Sequence, residues 1–205
     1  MSKIITISRE FGSGGRELGK RIADALGIPC YDHQIIEMVA EKTKLNKNYV
    51  ASMDEKNIQS FYPSTISHGF SMPSYAIIQS AEIINAEQEL IKKLASEGDC
   101  IIIGRAADVI LAEHKPFSIF VCADNESKIA RCRARAKDGE NFTDKQILRK
   151  CKSIDKQRRM YREVYTNSKW GSAASFNLCI NTSGKEIKKL LPAVITYINT
   201  WFEEE

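Results

Sequence analysis

Apolar residues follow two alternating patterns along this chain. Short runs rich in Ile, Val and Phe alternate with longer segments in which apolar positions return every three or four residues. The runs at Lys3–Ser8, Ile28–Tyr31, Cys100–Ile103, Pro116–Cys122 and Phe176–Ile180 predict strands, and the unbroken CIII of Cys100–Ile103 fits a strand covered on both faces. The longer period predicts helices over Gly15–Leu26, His33–Lys42, Ser74–Glu97, Asn125–Lys137, Thr143 to beyond Tyr165, and Lys185–Phe202. Shorter helices are expected from Asn46 and between Arg105 and Leu111. Gly27, with Pro29 beyond it, closes the first helix. Asp32 is a candidate cap for the second, and Thr143 with Gln146 has the form of a capping box. A strand, a helix and another strand so close together make a βαβ unit. The fold class is therefore α/β, with helices on both faces of a five-stranded parallel sheet in three layers. Gln59–Pro73 breaks the pattern. It is rich in Ser and Pro, and its Phe61, Tyr62 and Phe70 fit either stacking on a base or filling a groove of the same protein.

Composition narrows the class. At 205 residues and 43% hydrophobic, the chain builds one sizeable core and is too short for two full domains. No apolar leader and no run of about 18 apolar residues is visible, so the expectation is a cytoplasmic protein without a membrane span. Six scattered cysteines then read as reduced thiols, and the lack of CxxC or HxxxH spacing argues against a dedicated zinc site. The net charge of +4 is uneven: Glu126–Arg162 holds thirteen Lys/Arg against five Asp/Glu, leaving the rest mildly acidic. Such a block points to a polyanionic ligand or a nucleic-acid surface.

Ile4–Lys20 gives that block a setting. A strand runs into Gly12, Gly14 and Gly15 and then a helix, the layout in which backbone N–H groups converge on phosphate. GxxxxGK[ST] is met only nominally, because Gly14–Lys20 ends at Arg21 and puts Lys20 a turn inside the helix. A glycine-rich turn that binds nothing is the alternative. Ligands of open α/β sheets sit beyond the carboxyl ends of the strands. Those ends are Ser8-Arg9, Asp32, Gly104-Arg105, Ala123-Asp124 and Asn181-Thr182, and their two arginines favour an anion. A dinucleotide site is disfavoured, since Glu17 stands where GxGxxG needs its last glycine.

The strand–GSGG–helix segment, Gly104-Arg105, the paired basic helices and Asn181-Thr182-Ser183 resemble the nucleoside monophosphate kinases of the P-loop class, specifically the cytidylate kinase-like group, from about Lys3 to Tyr197. The resemblance implies a P-loop NTPase-type fold over residues 1–205, with 33–98 partly a monophosphate-binding helical insert and 131–160 a basic lid. It implies ATP and Mg2+ as cofactors and transfer of the γ-phosphoryl group to a nucleoside monophosphate, with CMP or dCMP the expected acceptor. The family loop reads GPSGSGKGT. Here Gly12-Ser13-Gly14 falls on its GSG, Gly15 on the lysine, Arg16 on the next glycine and Glu17 on the threonine. Two readings follow. In one the cation has moved to Arg16 or Arg9, with Glu17 or a water it holds serving the metal. In the other the loop binds an anion without aligning a γ-phosphate, and the protein is a nucleotide binder with little or no kinase activity.

By the same resemblance, cofactor contacts fall on Gly12, Ser13, Gly14, Gly15, Arg16, Glu17 and Thr182. Substrate contacts fall on Asp32, Arg105, Asp155 and Arg158, and catalytic roles on Arg9, Arg16, Arg105, Arg131, Arg135, Asp155 and Arg158. A salt bridge to Asp108 is the structural alternative for Arg105. Helical spacing puts Arg131 and Arg135 on one face and turns Arg133 toward solvent. Cys151 replaces the first arginine of the family lid motif, and Lys137–Lys145, with Gly139, is the expected joint. Ser13, Glu17, Asp32 and Asp124 are the candidate oxygen donors to magnesium, and no set among them stands out. The expected partners are small nucleotides. The Tyr75–Leu94 helix buries its apolar side in the monomer or against a second copy in a homodimer. Nucleic acid is disfavoured, because no helix-turn-helix, zinc finger or RNP-like aromatic pair is visible.

Overall fold

The computed structural model describes residues 2–52, 74–136 and 141–203. Phe61, Tyr62, Phe70 and the rest of Gln59–Pro73 lie outside them, as does Gly139 of the expected joint. Five parallel strands form the sheet: β1 (Ile4–Arg9), β2 (Cys30–Tyr31), β3 (Cys100–Ile103), β4 (Phe117–Cys122) and β5 (Leu178–Asn181), in the order β2-β3-β1-β4-β5. β1 is buried along its whole length, as a central strand flanked on both sides must be. Its register sets Ile4 beside Cys100, Ile7 beside Ile103 and Arg9 beside Val121. All five expected strands form. Cys100–Ile103 keeps its bounds, β1 and β4 shift by one residue and the edge strands by up to two, and β2 pairs over only two residues.

Alternation along the strands divides the core in two. Ile5, Ile7, Ile101 and Ile103 face α1 (Gly15–Leu26) and α8 (Ile187–Glu203). Ile4, Cys100 and Ile102 face α2 (Gln34–Thr43), α3 (Lys47–Ser52), α4 (Ser74–Ser96) and α5 (Ala107–Ile110). Truncating a fully buried residue such as Ile103 to alanine costs roughly 2–5 kcal/mol, so this layering fixes the strand ends firmly. α6 (Asn125–Arg133) and α7 (Asp144–Glu163) pack on each other beyond the end of β4. Asp124 caps α6 by accepting from the Ser127 N–H. The capping box of Thr143 and Gln146 opens α7 as the sequence predicts.

One cap is corrected. α2 is preceded by His33 without a side-chain cap, and Asp32 turns its carboxylate to arginines instead. Among the described residues, no helix is long and apolar enough to cross a membrane.

Candidate functional site

The connection from β3 to β4 passes β1, so the carboxyl end of β1 lies at the switch point of the sheet. There the chain leaves Arg9, turns through Glu10–Gly14 and enters α1. Internal bonds hold the turn. Ser13 is fully buried, and its hydroxyl donates to the Glu10 carbonyl (2.8 Å). Thr182, also fully buried, donates to the Ser13 carbonyl (2.6 Å). Arg131 of α6 donates through Nη1 to the Gly12 and Ser13 carbonyls and the Thr182 hydroxyl, and through Nη2 to the Thr182 and Lys185 carbonyls. Carbonyls are thus spoken for from below. The N–H groups of Gly12, Gly14, Arg16 and Glu17 find no acceptor among the described residues, which leaves them for an anion. Gly14 precedes α1 at φ 84°, a left-handed conformation that glycine adopts without strain. Lys20 is exposed and Gly19 buried, which confirms that the nominal GxxxxGK match is out of register.

A cavity of about 930 Å³ opens between this turn and the α6–α7 pair. Arg9, Arg16, Arg131, Arg133, Arg135, Lys150 and Arg158 line it, against a single carboxylate, Glu10. Glu10 is itself neutralised by buried Lys128 (2.9 Å) and accepts from the Ala123 N–H (3.1 Å). Phe11, Phe142 and Ile147 add apolar wall. Phe11 borders the space, and its N–H donates to Asp155 of α7 (2.7 Å). Arg158 lies 3.6 Å from Asp155 and donates to the Arg9 carbonyl (2.8 Å), tying α7 to the end of β1. Burial pushes the Asp155 carboxyl up to about 6, against the opposing pull of the Phe11 N–H, Arg158 and Lys128. Arg135 reaches Glu17 (3.3 Å), which also holds Arg21 (3.0 Å). Arg133 pairs in solvent with Asp144, on the face the helical spacing assigned it.

The β2–β3 side is built differently. Asp32 is buried, receives Nε of Arg16 and lies 3.9 Å from Nη2 of Arg9. After β3, Gly104, Arg105 and Ala106 take φ values of 82°, 60° and 48° in succession. Two side-chain-bearing residues in the left-handed region cost of order 1–3 kcal/mol each, strain that the surroundings must hold. Glu87 of α4 does so: it pairs with Arg105, with both side chains about 95% buried, and accepts from the Tyr161 hydroxyl (2.7 Å). Tyr165 donates in turn to Tyr161 (3.1 Å). Burial beside Glu87 raises the Tyr161 hydroxyl well above its ordinary value, so it stays a donor. The alternative pairing of Arg105 with Asp108 is not formed; Asp108 is buried against Arg162.

The structure brings Arg9, Arg16 and Asp32 to one place, and Arg131, Arg135 and Arg158 around one opening, with Asp155 behind it on the Phe11 N–H and beside Arg158. Sequence reasoning missed Glu87 and Lys128. Glu87 lies at helical spacing from Ile83, Leu90, Ile91 and Leu94, and a carboxylate inside an apolar stripe was the signal. Lys128 shares the helical face of Arg131 and Arg135.

The candidate magnesium donors are otherwise engaged. Glu17 and Asp32 hold arginines, Asp124 caps a helix and Ser13 turns inward. No group of three or more His, Cys, Asp or Glu residues positioned for a metal occurs among the described residues. These side chains do not form a protein cage for the ion, which in nucleotide sites is often held mainly by phosphates and water.

A search of curated proteins finds no match. Among solved structures, an uncharacterized protein from Eubacterium ventriosum ATCC 27560 is 26% identical, with a TM-score of 0.70 over 96% of this chain and 98% of that one. Shikimate kinase from Bacteroides thetaiotaomicron is 13% identical with a TM-score of 0.56, covering 99% of each chain. Shikimate kinase from Acinetobacter baumannii, in complex with shikimate, is 12% identical with a TM-score of 0.51, over 98% of this chain and 94% of that one. The last two likenesses are of fold: a five-stranded parallel sheet flanked by helices, in the P-loop kinase architecture. The sequence profile of the cytidylate kinase-like family matches residues 4–184, and the chain belongs to that family.

Proposed function

We propose that the protein transfers the γ-phosphoryl group of ATP to a nucleoside monophosphate, with CMP or dCMP as the preferred acceptor. The observation that carries this reading is the cavity where unpaired loop N–H groups and seven cations meet one carboxylate, itself neutralised by Lys128. An acceptor phosphate oxygen attacks the γ-phosphorus, the bond to the β–γ bridging oxygen breaks, and ADP leaves with the electron pair. No protein nucleophile is needed, so positioning and charge stabilisation supply the catalysis.

In this reading Gly12–Glu17 hold the nucleotide phosphates, while Thr182 and Arg131 act by holding the loop. Arg9, Arg16, Arg135 and Arg158 face developing charge. Residues 131–160 serve as the lid that excludes water, and 33–98 contribute to the monophosphate side with Asp32 and Arg105. Magnesium enters with the nucleotide. The basic block supports this use over nucleic-acid binding, because Lys128, Arg158 and Arg162 are buried and Arg131 is spent on the loop.

The test is a screen of nucleoside monophosphates with magnesium-ATP, reading ADP and the diphosphate product. One preferred acceptor is expected, and no turnover on any common monophosphate would sink the proposal. The second reading, a nucleotide binder without transfer, draws support from one observation: Arg105 is already neutralised by buried Glu87. Tight ATP binding with no product on any acceptor would select it.

A further inference from the structure

We propose that Arg9 and Gly15 form an exchanged pair. Arg9, at the end of the strand, faces the bound phosphates in place of a loop lysine, and Gly15 is glycine only to let it pass. The proposal rests on the reading that the loop holds phosphate.

Gly15 begins α1 and does not have a positive φ, so its backbone makes no demand for glycine. Space makes that demand. A Cβ at this position would lie 2.5 Å from Cβ and 3.1 Å from Cγ of Arg9, and 3.2 Å from Cβ of Val121. None of these is the free end of a flexible side chain. Arg9 Cβ is fixed by the β1–β4 pairing that sets Arg9 beside Val121, and the Arg9 carbonyl is held by Arg158 at 2.8 Å. Any side chain at residue 15 must therefore displace the end of the central strand. The stem of Arg9 occupies the start of the path that a lysine at 15 would take.

The stem belongs to a side chain that lines the cavity, with its guanidinium beside buried Asp32. A guanidinium suits this position better than an ammonium. A planar fork can meet a carboxylate along one edge and phosphate oxygens along another, which a point charge cannot. Arg16, the other candidate for the displaced cation, gives its Nε to Asp32 from a side chain that is 42% exposed. It is the weaker claimant, because it is committed to Asp32 by a direct hydrogen bond, whereas the Arg9 guanidinium lies 3.9 Å from the same carboxylate. The ligand class is the polyphosphate end of a nucleoside di- or triphosphate.

The proposal predicts that the two positions cannot be changed one at a time. The proteins to compare are wild type, Arg9→Ala, Gly15→Lys and the double variant Arg9→Gly/Gly15→Lys. Each is titrated with inorganic tripolyphosphate and with ADP by calorimetry, and melted without ligand. Arg9→Ala is expected to weaken tripolyphosphate binding roughly tenfold or more. Gly15→Lys is expected to melt lower and to lose binding, while the double variant regains both relative to Gly15→Lys. A Gly15→Lys protein that melts and binds as wild type overturns the proposal. So does a double variant no better than Gly15→Lys, or an Arg9→Ala protein with unchanged affinity. Transfer chemistry does not enter the measurement. A wild type that binds tripolyphosphate through Arg9 but makes no diphosphate product sinks the kinase reading and leaves the exchange standing, whereas a wild type that binds neither probe sinks both.

Discussion

The two halves of the sheet's carboxyl edge use the same residue type to opposite ends. On the β1–β4 side, arginines from the strand, α1, α6 and α7 surround a cavity that holds only one carboxylate, and that one is already neutralised. On the β2–β3 side the guanidinium and its carboxylate are buried together, Arg105 with Glu87 and Arg162 with Asp108, while Arg9 and Arg16 stand between the two sides, lining the cavity and paired with Asp32. An arginine count reads both sides as anion sites. Burial of the pairs separates them, because on the first side Arg133 and Arg135 hold exposed or half-exposed carboxylates, Asp144 and Glu17, while a ligand on the second must displace a buried carboxylate partner.

The strongest way to break this contrast is to remove a balanced arginine. Arg105→Ala leaves Glu87 buried and charged beside Tyr161, and is expected to cost about 3–5 kcal/mol in denaturant unfolding. On the proposed kinase reading, turnover should fall sharply as well. Replacing Arg105 and Glu87 together by methionine is expected to recover most of the stability and none of the turnover, and a double variant as unstable as the single one would contradict the pairing. On the open side, Arg131→Ala removes all five bonds from its guanidinium to the loop and the Thr182–Lys185 turn. Since each such bond from a charged donor contributes on the order of 1.5–3 kcal/mol at most, with little additivity, a stability loss of about 2–3 kcal/mol and at least tenfold weaker ADP binding are expected. Unchanged ADP affinity would detach Arg131 from the loop's function.

Asp155 sharpens the contrast through pH. Its folded carboxyl sits at about 6 rather than 3.8 because burial outweighs its partners. A raised value means the neutral form is favoured by folding. Its contribution to stability is complete below pH 3.8 and is lost as pH rises through about 6. Asp155→Asn keeps an oxygen for the Phe11 N–H and removes the charge. It should therefore raise stability at neutral pH by on the order of 1–3 kcal/mol and flatten the pH dependence across that window. A variant with wild-type pH dependence would show that Asp155 is not the group responsible. Arg133→Ala lies at the small end. Its pair with Asp144 is solvent-exposed, so a change within about 0.5 kcal/mol is expected by thermal melting, and a larger loss would contradict its placement in solvent.

What the sequence conveys and what it hides divide along locality. The five strands, the glycine turn and the Thr143 box are written in neighbouring residues, and all of them form. The structural alternative for Arg105 named the wrong carboxylate, because its partner lies on α4, eighteen residues earlier, whereas Asp108 is only three residues away. Asp32 is misread as a cap for the same reason: the nearest helix start is an obvious use for a carboxylate, and the arginines that claim it arrive through space. Gly15 is the sharpest case. In the sequence it is one of four small residues in a row read as a phosphate-binding turn, and only the approach of Arg9 Cβ reveals that it is a steric requirement of a strand residue.

Amide-resolved titration of the protein with ADP tests the anion cradle most directly. The largest shifts are predicted at the N–H groups of Gly12, Gly14, Arg16 and Glu17, with the Phe11 N–H, held by Asp155, moving less. Saturable ADP binding that leaves those four amides unmoved, or no binding at all, would contradict it.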